Sequence, residues 1–328
     1  MMIFVFSRKF LLATLSSFVC ALPLYAQDYP ARPVHVIVPI TPGGALDTTA
    51  RMVVPGLSQA IGQPVVVDNR VGAGGVMGTR QALQAAPDGY TLLMIFDSFA
   101  TNPYLYKTAQ YDPVKDFVPI MLISRSPQVL LLHPDVPARN IKDFLSLARS
   151  ASTKDGTGMD FATAGPGTSS RLSLELFKQA AQVDLTAVHY KGGNPAISGL
   201  LGGQVKGMIV QVSVAMPHVK RGKLIALGVS SAKRTPLLPD VPPIADTFPG
   251  FEAQGWTGIL APAATPRSII DKLNAALKST LAQPDVRARL EGQGSEVVGS
   301  TPEVFGTWLR GESEKWSRII RNLKLTLD

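Results

Sequence analysis

Val34-His35-Val36-Ile37-Val38-Pro39 is a run rich in β-branched residues, stopped by Thr41-Pro42-Gly43-Gly44. Directly behind it, Leu46, Ala50, Val53, Val54, Leu57 and Ile61 recur at three- and four-residue spacing. A short apolar run predicts a strand covered on both faces, and the second pattern predicts an amphipathic helix. Strand, glycine turn and helix, in that order, open a parallel α/β sheet. Working outward, Val65-Val66-Val67 gives a second strand, Gly72-Ala73-Gly74-Gly75 a turn, and a helix runs to about Ala86. Pro87-Asp88-Gly89 then turns the chain into a third buried strand, Tyr90–Phe96.

The same rhythm restarts farther along. Val129–His133 reads as a strand, and Ile141–Ala148 as a helix capped by Asn140. Asp160–Thr163 is a short strand ending in Ala164-Gly165-Pro166-Gly167. Thr168-Ser169-Ser170 leads from there into a helix with Leu172, Leu176, Phe177 and Ala180 on one face. A strand–glycine turn–helix unit therefore recurs, once near 34–61 and again near 160–181. Further strands are expected near Ala187–Tyr190, Val205–Val210, Leu224–Val229 and Trp256–Leu260, with a short helix around Pro195–Leu201. Two helices close the chain, starting at Thr265-Pro266 and Thr301-Pro302, each read as a cap followed by proline at the first helical position.

The amino terminus sets the compartment. Arg8 and Lys9 precede an apolar stretch from Phe10 to Leu22, and Leu24-Tyr25-Ala26 offers a cleavage site before Gln27. Residues 1–26 thus read as a secretory signal, too short and too interrupted by Thr14, Ser16 and Ser17 for a membrane span. Cleavage near Ala26 predicts a periplasmic protein. Cys20, the single cysteine, lies inside this leader. The mature chain is expected to lack disulfides, thiolate metal sites and cysteine nucleophiles. Roughly 300 residues then remain, enough for two domains of ordinary size. The 328 residues are 45% hydrophobic and 17% charged, which excludes a disordered chain or a coiled coil. The formal net charge is +8, of which the leader holds two, and the rest is scattered rather than striped. No nucleic-acid footprint results.

The two recurring turns carry the chemistry. A helix start presents unpaired N–H groups and about half a positive charge, glycines admit a ligand to the main chain, and Thr or Ser adds rotatable donors. One such end contributes roughly 0.3–1 kcal/mol, a weak attraction. Two facing ends could hold a small anion, unless both merely close α/β units. Asp47, in the first turn of the first helix, either bonds within its own loop or orients the Pro42-Gly43-Gly44 turn to hold a ligand-bridging water. Asp97-Ser98 is either a polar pair at a cleft or an ordinary loop, and Lys191 either a contact or a solvated residue. Enzyme signatures are missing. The glycines from Gly72 to Gly78 are misplaced for a dinucleotide fingerprint, there is no phosphate loop or Gly-x-Ser-x-Gly turn, and His35, His133, His189 and His218 are mutually isolated. No metal, cofactor or catalytic residue is expected.

These residues resemble the Bug family, the extracytoplasmic receptors of tripartite tricarboxylate transport systems. The resemblance runs from Tyr29-Pro30 to the last helix. It includes Pro42-Gly43-Gly44 with Asp47, Gly62-Gln63-Pro64-Val65, Ala86-Pro87-Asp88-Gly89-Tyr90, Tyr111-Asp112-Pro113, Tyr190-Lys191-Gly192 and Leu238-Pro239-Asp240-Val241-Pro242. It implies an α/β, two-domain clamshell of the periplasmic-binding-protein type (type II-like), with mixed, mainly parallel sheets. One lobe would combine 27–127 with 250–328 and the other would be 128–249. Carried over by position, Thr41, Gly43, Gly44, Gly74, Gly75, Asp97 and Ser98 would face the cleft from the first lobe. Gly167, Thr168, Ser169, Tyr190 and Gln211 would face it from the second.

Three departures from the family pattern bear on the ligand. Val210 with Gln211 replaces a frequent aspartate, a loss expected to disfavour a cationic amino group. Arg171 replaces a frequent histidine and either clamps a second carboxylate or points outward. Phe96 and Phe99 replace small polar residues and either stack on an aromatic ligand or fill the core. The implied function is capture of a small mono- or dicarboxylate, aromatic acids included, by a monomeric receptor that hands it to membrane permease subunits. The rival is a ligand sensor feeding a two-component signalling system.

Overall fold

The computed structural model describes residues 29–155 and 158–327. The leader, with its cleavage site and Cys20, lies outside the described residues. The first half alternates as β1 (Val34–Val38), α1 (Ala45–Ile61), β2 (Val65–Asn69), α2 (Val76–Leu83), β3 (Thr91–Phe96) and α3 (Ser98–Leu105). The middle runs β4 (Phe117–Leu132), α4 (Ile141–Asp155), β5 (Met159–Thr163), α5 (Ser169–Ala181), β6 (Leu185–His189), α6 (Gly193–Leu201), β7 (Gly207–Gln211), α7 (Val212–Lys220) and β8 (Ile225–Val229). The chain ends with β9 (Gln254–Pro262), α8 (Arg267–Ala282), α9 (Pro284–Gly292), β10 (Glu296–Val297) and α10 (Pro302–Asn322).

The main strand order is β2-β1-β3-β9-β4-β7-β5-β6, with β8 and β10 also on β4. Parallel pairing holds in the two outer parts, β2-β1-β3 and β7-β5-β6. The antiparallel pairs gather on β4 and β9. β4 joins the halves: Phe117 to Pro127 pair with β9, and Gln128 to Leu132 pair with β7. Ser230 pins that passage. It exchanges hydrogen bonds with the Gln128 backbone, its hydroxyl accepting at 2.8 Å from the Gln128 N–H, and it also donates to the Ala253 carbonyl. Each half is packed on both faces. Val36, Leu57, Leu92 and Leu277 fill one side of the first half, and Ile37, Leu93, Phe99 and Phe305 the other. Leu130, Phe144, Phe161 and Phe177 form one core of the second half. α10 serves both: Phe305 and Leu309 pack on the first half, Trp316, Ile319 and Ile320 on the second.

Several elements depart from the sequence reading. The strand expected at 129–133 begins at Phe117, because register shifts at Pro119/Met121 and Leu122/Ser124 absorb residues that otherwise read as a loop. Asp97-Ser98 is no loop but the start of α3. α7 was not foreseen, and three helices close the chain after β9 rather than two, with α9 beginning on Pro284. Thr301 caps α10, accepting from the Val304 N–H at 3.3 Å. Thr265 does not cap α8; its hydroxyl donates to the Pro262 carbonyl at 2.7 Å, and the helix starts one residue after Pro266. Among the described residues no helix is long and apolar enough to cross a membrane, and no cluster of His, Cys, Asp or Glu could hold a metal.

Candidate functional site

Helices that follow the strands of a parallel sheet present their amino termini at its carboxyl edge. Here five such ends meet around one cavity of about 1000 Å³. Ala45 and Leu46 open α1, Ser98 opens α3, and Ser169 and Ser170 open α5. Gly193 and Asn194 open α6, and Ser213 and Val214 lie in the first turn of α7. Each end carries N–H groups without helical partners and partial positive charge, and among the described residues lining the cavity there is no lysine, arginine or histidine. Ser126, Gln128, Gly255 and Thr257 of β4 and β9 form its floor, with Trp256 and Trp316 beside them.

Of the sequence-predicted residues, the structure brings Gly74, Asp97, Ser98, Gly167, Thr168, Ser169 and Gln211 to the cavity wall. Gly74 takes a left-handed conformation, φ +62°, which suits glycine, and its carbonyl accepts from the Asn102 side chain at 3.0 Å. Thr168 caps α5 loosely, accepting from the Arg171 N–H at 3.5 Å, while its hydroxyl donates to the Gly165 carbonyl at 2.8 Å. Asp97 and Gln211 converge from opposite halves on Gly255. A Cβ built there would lie 3.7 Å from Asp97 Oδ2 and 3.2 Å from Gln211 Nε2. Desolvation, with the charge of Glu312 adding to it, pushes the Asp97 pKa up to about 6 against the opposing influence of Ser169 and Ser98.

Thr41, Gly43, Gly44, Asp47, Gly75, Arg171 and Tyr190 do not line this cavity. Asp47 is 1% exposed and braces the turn from behind. Its Oδ2 accepts from the Gly43 N–H at 2.8 Å and from Arg51 Nε at 2.9 Å, and its Oδ1 accepts from Asn69 at 2.9 Å. The Arg51 hydrogen bond is the chief cause holding its pKa down at about 2. Gly43 has φ +80°, and Gly44 donates to the Thr41 carbonyl at 3.1 Å, so both are spent on the turn itself. Gly75 begins α2. Arg171 neither reaches the cavity nor points free into solvent, because it is paired at 2.7 Å with buried Glu175 one turn on. The Tyr190 hydroxyl donates to Gln204 at 3.2 Å. Lys191 is exposed, and Phe99 fills the core, stacked on Tyr111 at 5.1 Å. Phe96 lines the cavity.

The sequence reading missed the floor and the apolar wall. Ser126 and Gln128 lie in a stretch that looks like a loop, and Trp256 was read only as part of a strand. Trp316 and Leu327 come from the far end of the chain. Glu312, 4% exposed, fixes both indoles: it accepts from Trp316 Nε1 at 2.9 Å and Trp256 Nε1 at 3.3 Å while pairing with Lys315. The Leu327 N–H donates to the Leu105 carbonyl at 2.9 Å, closing the tail over the Gly167 turn. A polar residue at Ser126 and Gln128 between apolar runs was the one local signal available.

A family model described as "Tripartite tricarboxylate transporter family receptor" matches residues 49–325. The chain belongs to that family, the Bug receptors. The periplasmic binding protein BugD is 35% identical, with a TM-score of 0.70 over 91% of this chain and 100% of its own. A protein from R. palustris solved with adipate is 32% identical, with a TM-score of 0.74 over 92% of this chain and 100% of its own. MatC from Rhodopseudomonas palustris, solved with bound malate, is 34% identical, with a TM-score of 0.70 over 89% of this chain and 100% of its own. This Bug receptor is therefore a two-domain α/β clamshell and a solute-binding protein, not an enzyme.

Proposed function

We propose that this Bug receptor works in the periplasm, captures a small mono- or dicarboxylate, aromatic acids included, and presents it to the permease of a tripartite tricarboxylate-type transporter. The observation that carries the reading is the convergence of five helix amino termini on one cavity. Their N–H groups are pre-oriented toward an anion and need no basic side chain, which suits a ligand that must also be released. Relatives solved with adipate and malate fit that chemistry. We further propose that the lobes are 27–127 with 250–328, and 128–249, with α10 lying across both. Closure about the passages of β4 and β9 would bring the α1 and α5 ends onto one carboxylate. The ligand-binding residues would be those of the cavity wall, with Asp47 and its turn as support.

Titration calorimetry and thermal shift with mono-, di- and aromatic carboxylates test the reading. A binder among the acids supports it. A folded protein that ignores the whole acid panel and instead binds sugars or uncharged amides overturns it.

A further inference from the structure

The cavity that gathers so much partial positive charge contains one carboxylate and, among the described residues lining it, no lysine, arginine or histidine. That carboxylate is Asp97. It stands at the start of α3 with its Oδ2 beside Gly255, where a built Cβ would also meet Gln211 Nε2. Ser169 and Ser98, the neighbours that favour its charged form, are both neutral. The nearby Glu312 has its own cation in Lys315, so Lys315 is not free to serve Asp97. A carboxylate on a cavity wall with no cationic side chain beside it offers a counter-charge to a cation brought by the ligand.

We propose, resting on the carboxylate-receptor reading, that the ligand is zwitterionic: its carboxylate sits on the helix amino termini and its protonated amine faces Asp97. A dicarboxylate would place its second anion in a cavity where the one charged side chain among the described lining residues is negative. An amino carboxylate instead neutralises Asp97 and satisfies the helix ends at once.

Matched probes decide the matter by titration calorimetry at pH 7.5: 4-aminobutyrate against succinate, 6-aminohexanoate against adipate, L-aspartate against L-malate, and L-phenylalanine against 3-phenyllactate. The expected result is that at least one amino member binds roughly tenfold or more tighter than its partner. Asp97→Asn should erase that preference while holding or improving affinity for the partner acid. Asp97→Glu, which keeps the charge, should keep the preference, and thermal melts confirm that both variants fold. Tighter binding of succinate, adipate, malate or phenyllactate in each pair overturns the proposal and leaves the carboxylate receptor standing. An amino preference that survives Asp97→Asn also overturns it. Silence from all eight probes overturns it too, and the wider acid panel then decides the receptor reading separately.

Discussion

Asp97 and Asp47 are both aspartates at the start of a helix, yet their surroundings drive them in opposite directions. Asp97 has a desolvation cost and the charge of Glu312 nearby, so its pKa rises to about 6. Between about pH 4 and pH 6 the folded state then holds a proton that the unfolded chain has released, and stability falls as pH rises through that window. Asp97→Asn is expected to stabilise the unliganded protein at pH 7.5 by about 1–2 kcal/mol, with the gain vanishing below about pH 4, read from melting curves across that range. Such a penalty in the native residue is the usual mark of a site shaped for binding rather than stability. Asp47 behaves the other way. Its depressed pKa, about 2, contributes stability that is complete above the unfolded carboxylate value and is lost as pH falls from about 4 to 2. Asp47→Ala should cost on the order of 1–2 kcal/mol at pH 7, since its partner Arg51 is solvent-screened. Its acid-unfolding profile should lose the Asp47 contribution below pH 4, as denaturant titrations at pH 7 and pH 3 would reveal.

At the scale of elements, the shared core depends on how closely α10 reaches β9. A Cβ on Gly258 would lie 2.2 Å from the buried Phe305 ring, so this glycine is what lets the helix dock. Gly258→Ala forces the ring out of place and should cost about 1–3 kcal/mol in chemical denaturation, with far-ultraviolet dichroism unchanged. Patterns confined to one element were readable in advance: the Val34–Val38 strand, the α1 stripe and the Thr301 cap all follow local rules. β4 was not. Pro119, Pro127 and the polar run Ser124-Arg125-Ser126 break every strand rule, and only pairing with β9 on one side and β7 on the other makes them extended. The same limit explains the site. The turns at Gly74 and Gly167 and the start of α5 announce themselves, because glycine and hydroxyl residues at a helix start have a local meaning. Gln128, Trp256, Trp316 and Leu327 reach the cavity only through contacts between distant segments. Asp47 spends its carboxylate inside its own turn, and Tyr190 gives its hydroxyl to Gln204 beyond α6.

For the whole molecule, the question is what a ligand must do to two halves joined by β4, β9 and α10. Ser230 fixes the β4 passage by hydrogen bonds to both Gln128 and Ala253, so the joint is a defined bend and not a loose linker. α10 is anchored on both cores, Phe305 on one side and Trp316 on the other, and closure must flex it or slide its last turns. A ligand that bridges the α1 and α5 ends binds the folded protein and not the unfolded chain, so it stabilises by mass action. At a hundredfold excess over its dissociation constant the gain is about 2.7 kcal/mol, which for a chain of this size raises the melting temperature by roughly 5 °C. Deleting Leu325 to Asp328 removes the Leu327–Leu105 bond and the apolar edge beside Gly167 while leaving α10 whole. The shortened protein should therefore melt within about 2 °C of the intact one without ligand, because half-buried tail residues contribute little to either core. Its ligand-induced shift should shrink markedly, since the carboxylate at the α5 end would lose the wall that keeps water out. A large fall in the unliganded melting temperature, or an undiminished shift with ligand, would show that the tail is a structural strap and takes no part in the binding wall.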